Sequence, residues 1–399
     1  MHRAGRRART LSKQYVALSS HWEQYFVTAN PVPFESAMSV RQGADGSSPG
    51  FEVAVMYTAY ITTEGGTHVA ETFYDRWLET SDQLAKAFWS SPAVARDKDV
   101  PWVSTPQDVR TKLMVSRELG FATMGSNVLK SEIPVGWHSG RHRHGEESLH
   151  ILTGSGFSLI GGRRFDWHAG STLFIPFWAE HQHFNTGDEP VLYISGMTFD
   201  LERFVHLARI EQLAECGRND AAELAAVPTE ESQYYANGGR AVIHLEDAPS
   251  DMSFSPQAHL AAVRNQHGST RHLVVPKNGF RSGSVAVTTR WRDEPFHHSG
   301  RHKHLEAVVY AIEGKGYTEM QGRDVPWEAG DVLYVPPAMW EHEHTNNNPF
   351  PVEQLRIAFG IRSWFTDMWT AGFASQRIYD ADGRPIEAGA IERGRERSR

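Results

Sequence analysis

The sequence predicts a mainly β protein of two small barrels in tandem, with an N-terminal α/β extension and a helical connector. Three observations predict it: an internal repeat, short strand-like segments broken by glycines in each copy, and a doubled histidine pattern. The repeat is the strongest of these. Ser139-Gly140-Arg141-His142-Arg143-His144 recurs as Ser299-Gly300-Arg301-His302-Lys303-His304, an offset of 160 residues. The same offset carries Gly154 onto Gly314, Gly156 onto Gly316, Arg163 onto Arg323, Trp167 onto Trp327 and Gly170 onto Gly330. One inserted residue then moves the offset to 161, placing His181, His183 and Asn185 on His342, His344 and Asn346. Two copies mean a duplication rather than a solenoid.

Taken in order, residues 1–115 form the extension, with a strand expected over 51–62, an amphipathic helix over 68–89 and a lead-in at 102–115. The first barrel occupies 116–200, with strands expected at 149–152 and 172–175 and turns at Gly154-Ser-Gly156 and Gly161-Gly162. A connector follows at 201–270: a helix over 201–216, then a surface segment at 217–250 where Gly, Asn, Asp and Pro mix with acidic residues. The second barrel takes 271–375, with strands at 308–312, 332–335 and 354–359, turns at Gly314-Lys-Gly316 and Gly322, and a short helix at 363–368. Residues 376–399 form a tail.

Composition narrows the function. With 399 residues, 40% hydrophobic and 22% charged, the chain can build substantial cores and is too apolar for general disorder. A net charge of −8 argues against a nucleic-acid partner, and the arginine clusters at both ends read as solvated tails. No apolar run reaches the roughly 18 to 20 residues that span a bilayer, and residues 1–30 lack a secretory signal, so a cytoplasmic protein is expected. Cys216 is the single cysteine, which excludes an intrachain disulfide and cysteine-rich metal sites. Any metal must be held by histidine and carboxylate. The extension, by covering strand edges, points to a homo-oligomer, for which sedimentation is the check.

Two histidines at i and i+2 on a strand project from one face. His142 with His144, and His302 with His304, can therefore point into a lumen, with His181 and His342 as third ligands from another strand. Such triplets leave positions open on a divalent metal for substrate or dioxygen.

At these residues the chain resembles the cupin superfamily. Its first motif, a glycine, His-x-His, a glutamate and a glycine, is matched by Gly136, His142, His144 and Gly154, and less completely by Gly300, His302, His304 and Gly314. Its second, Gly-x5-Pro, a short gap and His-x3-Asn, is matched by Gly170, Pro176, His181 and Asn185 and again by Gly330, Pro336, His342 and Asn346. The resemblance implies two cupin barrels, of the double-stranded β-helix or jelly-roll type, and so a bicupin. Counting back from Gly154 puts Glu147 in the ligand position, whereas the same count from Gly314 lands on Ala307. Glu146 and Glu306 match each other but sit two residues past the histidine, as either ligands or solvated turn residues.

The run from Gly140 through His144, a His-x-His-x-Asn and Thr186-Gly-Asp-Glu-Pro-Val191 is similar to the pattern around iron in gentisate and salicylate dioxygenases. This implies an Fe(II) dioxygenase acting with O2 on a small hydroxylated aromatic acid, although Mn(II) or another divalent metal also suits imidazole ligands. Those enzymes place a carboxylate-binding arginine on the strand after the His pair, where this chain has His150 and Tyr310. Arg141, Arg301, Arg163 and Arg323 are the alternative anion partners. His183 and His344 are acid–base candidates, and Phe157, Phe174, Phe177, Trp178, Tyr317, Tyr334 and Trp340 are candidates for an apolar wall. Competing expectations are an oxalate-decarboxylase-like enzyme, an isomerase and a non-enzymatic ligand-binding protein.

Overall fold

Period-two alternation in each copy is realised as a barrel of two antiparallel sheets. The computed structural model describes residues 72–228, 232–250, 269–299, 301, 304, 306–336, 341–360, 378–379 and 385–386, all in the unit Glu71–Arg399. The expected strand at 51–62, the helix at 363–368, His302, Trp340 and both arginine-rich tails lie outside the described residues.

Helix α1 (Phe73–Ser90) opens with a capping box, in which Thr72 Oγ1 accepts from Asp75 N at 3.2 Å and Thr72 N donates to Asp75 Oδ2 at 2.7 Å. It stops before Ser91-Pro92, and the two-residue strand β1 (Val94–Ala95) follows. The first copy supplies β2 (Arg110–Val115), β3 (Asn127–Ile133), β4 (Trp137–His138), β5 (Arg141–Arg143), β6 (Glu147–Thr153) and β7 (Ser155–Ile160). It continues with β8 (Arg163–His168), β9 (Thr172–Ile175), β10 (His181–Asn185) and β11 (Val191–Met197). Between the copies lie α2 (Phe199–Phe204), β12 (Glu211–Ala214), β13 (Gly217–Arg218), α3 (Ala221–Ala225) and β14 (Val242–Ile243). The second copy supplies β15 (Ser269–His272), β16 (Val285–Asp293), β17 (Ala307–Glu313), β18 (Lys315–Met320), β19 (Arg323–Glu328), β20 (Val332–Val335), β21 (His342–Thr345) and β22 (Val352–Phe359). A short pair, β23 (Ile378–Tyr379) and β24 (Pro385–Ile386), ends the described chain.

Two six-stranded sheets, one in each copy, run β14-β9-β6-β11-β3-β2 and β1-β20-β17-β22-β16-β15. The two orders correspond strand for strand, except that the outermost strands are exchanged. β1, which precedes the first copy, edges the second copy's sheet through Val94–Leu333, while β14, which precedes the second copy, edges the first copy's sheet through Val242–Leu173. The segment expected to be a surface connector thus buries Ala241, Val242 and Ile243 completely. β20 and β9 are each covered by a short strand from outside their own copy.

Alternation separates two cores. Ile133, Leu149, Ile151, Leu173, Ile175 and Val191 fill the first barrel, while Ala307, Val309, Leu333, Val335 and Ala358 fill the second. The opposite faces, with Val128, Phe174 and Ile194 from one sheet and Val308, Tyr334, Leu355 and Ile357 from the other, share a third core between the barrels. Each buried Val, Leu, Ile or Phe side chain among these contributes about 1.5–3 kcal/mol.

Glu146 and Glu306 lie outside the barrel lumens and act across the copies. Glu146 accepts from Gly283 N at 2.9 Å and Ser284 N at 2.7 Å, and Glu306 accepts from Met124 N at 3.1 Å and Gly125 N at 3.2 Å. Glu306 is 2% exposed, so the reading as a solvated turn residue is replaced by a reciprocal clasp between the two halves. Its buried carboxyl is pushed up to about 7 by desolvation, which its hydrogen bonds oppose.

Two local expectations are corrected. The helix expected over 201–216 ends at Phe204, and Glu211–Ala214 instead pairs with β5, whose edge groups need partners. Gly154 and Gly314, with φ of 81° and 84°, do turn the chain, but Gly156 and Gly316 lie inside β7 and β18. Their reason is proximity: a Cβ on Gly156 would lie 2.0 Å from Phe184 O, and one on Gly316 2.4 Å from Thr345 O.

Candidate metal centre

β5 and β10 lie side by side in the seven-stranded sheet with His142 and His181 directly paired in register. The i, i+2 spacing brings His144 to the same face, and the three rings meet with centroids 4.2 to 4.8 Å apart. One ligand atom from each of His142, His144 and His181 falls within 4.8 Å of the other two, and all three residues are buried. Rings closing in by the order of an ångström bring such a set to the roughly 2.1 Å bonds of a divalent ion.

The outer nitrogens are already committed. Nδ1 faces a backbone carbonyl in each ring: Gly140 O at 3.5 Å from His142, Gly145 O at 2.9 Å from His144 and Ala179 O at 2.8 Å from His181. A carbonyl only accepts, so Nδ1 carries the proton and Nε2 presents its lone pair to the lumen. His181 Nε2 is buried with no hydrogen-bond partner among the described residues. An orphaned buried acceptor costs about 1–3 kcal/mol, and a cation among the three rings removes that cost, so the residues fit a metal.

Electrostatics favour the same state. Burial, reinforced by repulsion from His144 and His183, pushes the His142 imidazole down to about 2, and burial holds His144 at about 4. His181 is lowered well below its ordinary value for the same reasons. Neutral imidazoles are the ligating form.

Glu147, the first residue of β6, points into this lumen. Its Oε2 lies 3.6 Å from His144 Nε2 and 3.9 Å from His181 Nε2. Desolvation pushes its carboxyl up to about 7, opposed by a hydrogen bond from Ser195. His183 is buried beside the cluster, its ring centroid 5.6 Å from that of His181, with Nδ1 2.7 Å from Ser158 Oγ. Trp167 Nε1 donates to the same hydroxyl at 2.8 Å, and His344, Thr318 and Trp327 repeat the arrangement in the second copy.

Other expected site residues sit elsewhere. His150 faces the core between the sheets, with Nδ1 2.8 Å from Thr172 Oγ1 and Nε2 3.3 Å from Arg290 Nη1. The Gly145-Glu146 turn shifts strand parity, so odd residues of β6 point inward and His150 points out. Arg141 is exposed and lies 3.6 Å from Glu180, Arg301 pairs with Glu319 and Glu343, and Arg323 stacks on Trp89 at 4.1 Å. Phe174 and Tyr334 belong to the shared core, Phe157 stacks on Phe184 below α3, and Phe177 is exposed. In the second copy His304 and His342 are buried with rings 4.7 Å apart, His302 lies outside the described residues, and Ala307 takes the place of Glu147 among apolar side chains. Asn185 and Asn346 pin the loops after their strands through backbone carbonyls, at 2.9 Å from Glu189 O and Phe350 O respectively.

Sequence reasoning missed Asp108 and Tyr193. Tyr193 donates to Asp108 Oδ1 at 2.9 Å inside the first barrel, and its ring lies 6.0 Å from that of His183. Burial chiefly pushes the Asp108 carboxyl up to about 7, with repulsion from Glu147 adding to it. Asp108 comes from outside the repeat, so no periodic signal marked it.

Comparison with known proteins agrees with this picture. The cupin domain family matches residues 129–197. A gentisate 1,2-dioxygenase of Aquipseudomonas alcaligenes is 21% identical over 224 residues, covering 52% of this chain and 62% of that protein. A gentisate 1,2-dioxygenase of a Haloferax species is 23% identical over 289 residues, covering 62% of this chain and 76% of that protein. Among solved structures, a variant of Bacillus subtilis oxalate decarboxylase superposes with a TM-score of 0.52 at 16% identity, covering 68% of this chain and 78% of that one. No helix among the described residues is long and apolar enough to cross a membrane. With two barrels, a doubled motif and a buried histidine triplet in place, the chain carries a cupin domain match over residues 129–197 and resembles the gentisate dioxygenases.

Proposed function

We propose that this chain is a cytoplasmic non-haem Fe(II) dioxygenase that acts on a small hydroxylated aromatic acid of gentisate type. The observation that carries the reading is the convergence of His142, His144 and His181 with every Nδ1 held by a backbone carbonyl. The likeness to two gentisate dioxygenases, at 21% and 23% identity, supports the reaction class. An Fe(II) ion held by these three histidines would supply open positions for substrate oxygens and O2, and the electron transfer between them that needs no external reductant.

The chain's own groups then have distinct tasks. The three histidines hold the metal, and Glu147 adds a carboxylate at its edge. His183, fixed by Ser158 and Trp167, is placed to take or return a proton at its other ring nitrogen. Asp108, raised to about 7, keeps a proton within reach of the Tyr193 hydroxyl. By the repeat, His302, His304 and His342 form a second metal set in this reading and His344 corresponds to His183. Oxygen uptake by the iron-loaded chain on gentisate and salicylate tests the proposal. Consumption of one O2 per substrate with ring cleavage is expected, and no uptake on any phenolic acid contradicts it.

A second reading is favoured by one observation, the Glu147 carboxylate beside two metal-facing nitrogens. It is a Mn(II) enzyme of oxalate-decarboxylase type, and release of formate and CO2 from oxalate by the manganese form would displace the dioxygenase reading. Glu147 also sets the expected pH dependence. The imidazoles stay neutral above about pH 4, whereas a carboxyl raised to about 7 must shed its proton to ligate. Metal affinity is therefore expected to rise about tenfold per pH unit up to near 7 and then level off. Glu147→Gln should flatten that slope in Co(II) titrations, and an unchanged slope would show that Glu147 takes no part.

A further inference from the structure

The second lumen differs from the first in the chemistry of three aligned positions. Where the first copy has Glu147, Tyr193 and Ser195, the second has Ala307, Gln354 and Arg356. Register establishes the correspondence: Ser195 pairs with Leu149 between β11 and β6, and Arg356 pairs with Val309 between β22 and β17. On β22 the odd residues Leu355, Ile357 and Phe359 enter the core between the sheets, while Ala358 enters the barrel core with Val309 and Trp291. Gln354 and Arg356 share the face of Ala358 and so point into the second lumen.

Both side chains carry a buried polar atom without a partner there. Gln354 is 1% exposed, and its Nε2 and Oε1 have no hydrogen-bond partner among the described residues. Arg356 Nε is buried without a partner, and no carboxylate among the described residues lies within ion-pair distance of its guanidinium. Desolvation lowers its pKa to about 10, with no anion to offset it, and it stays charged at neutral pH. A buried amide with neither atom bonded, and a partly exposed guanidinium whose Nε is buried without an anion beside it, each cost free energy that packing alone does not repay. In the first copy the aligned Ser195 bonds to Glu147, which lies 3.6 Å from a metal-facing nitrogen. By the register, Arg356 occupies in the second lumen the strand position that Ser195 occupies in the first.

We infer that the second barrel binds a small organic monocarboxylate, held by the Arg356 guanidinium and the Gln354 amide. The guanidinium fork suits a planar carboxylate through two parallel N–H donations, and the amide N–H adds a third. Trp291, Val309, Leu333 and Val335 supply the apolar wall that an aromatic or aliphatic body requires. Beside its histidines, the second lumen thus carries a cationic and an amide group where the first carries a carboxylate, a phenol and a hydroxyl. This deepens the proposed function by giving the acid group of its substrate class a place, but the binding itself needs neither turnover nor iron.

Benzoate, which lacks the ring hydroxyls that ring cleavage requires, is the probe, titrated calorimetrically into the full-length chain without O2. Wild type is expected to bind it, Arg356→Leu to weaken binding at least 30-fold, and Gln354→Leu to weaken it several-fold. Benzyl alcohol should not compete. Arg356 is partly exposed and holds no ion pair among the described residues, so Arg356→Leu should lose the ligand while keeping the fold. Equal benzoate binding by wild type and Arg356→Leu, no binding by wild type, or displacement by chloride at matched ionic strength would each overturn the inference. Benzoate binding without oxygen uptake on any phenolic acid would sink the dioxygenase reading and leave the carboxylate site standing.

Discussion

His181→Ala is expected to empty the first metal centre while leaving the metal-free fold standing. The imidazole is one of three converging ligands, and its Nε2 is an orphaned buried acceptor until a cation arrives. Changing a group that merely supports a ligand typically costs 10–100-fold in metal affinity, so removing a ligand is expected to cost more than about 100-fold. The metal-free protein loses the ring's packing but also sheds the roughly 1–3 kcal/mol penalty of the unpaired nitrogen, and these offset. Metal at a hundredfold excess over its dissociation constant stabilises the native chain by about 2.7 kcal/mol. Thermal melts with and without Fe(II) under argon should show an upward shift in wild type that shrinks in His181→Ala. Oxygen uptake on phenolic acids should fall by at least three orders of magnitude if the first barrel is the working one. An undiminished shift would mean that metal binds elsewhere.

Gly156→Ala carries the largest expected structural effect. The added methyl would lie 2.0 Å from Phe184 O and 2.7 Å from the Trp167 ring. The oxygen is backbone in β10, where Asn185 pairs with Gly156, so relief requires β7 and β10 to separate. That movement displaces the strand carrying His181 and His183, and the Trp167 contact that fixes Ser158 moves with it. Overpacking of this kind costs about 1–3 kcal/mol or more, a drop of several degrees in melting temperature. Metal affinity should fall with it, since the ligands shift. Gly217→Ala is the control: its Cβ would meet His138 at 3.5 Å, ordinary contact, and its cost should stay within about 0.5 kcal/mol. Equal melting temperatures for the two variants would contradict the close-approach argument.

Much of this architecture is legible in the sequence because a duplication announces itself. The offset of 160 and then 161 residues aligned His142 with His302 and His181 with His342 before any strand was placed, and the first-copy triplet does converge. Counting back from Gly154 likewise singled out Glu147, which lies beside that triplet. What stayed hidden was set by tertiary context. The turn at Gly145-Glu146 decides whether odd or even residues of β6 face the lumen, and that parity puts Glu147 inside and His150 between the sheets. Glu146 and Glu306 looked like turn residues because their partners, the amides at 283–284 and 124–125, lie far away in sequence. The apolar spacing over 201–216 reads as a helix, yet Phe204, Leu207 and Ile210 remain exposed and the edge of β5 claims Glu211–Ala214 as a strand. Two-residue strands such as β1 and β14 have no period at all, so their exchange between the copies could only be seen folded. Asp108 and Arg356 escaped for a related reason: one lies outside the repeat, and the other occupies a position where the copies differ.

Anomalous diffraction from crystals grown without oxygen, with data on both sides of the iron absorption edge, tests the central claim most directly. The account predicts a peak in the first barrel roughly 2.1 Å from Nε2 of His142, His144 and His181. A map with no peak there, or with the three rings turned away from a common point, would contradict it.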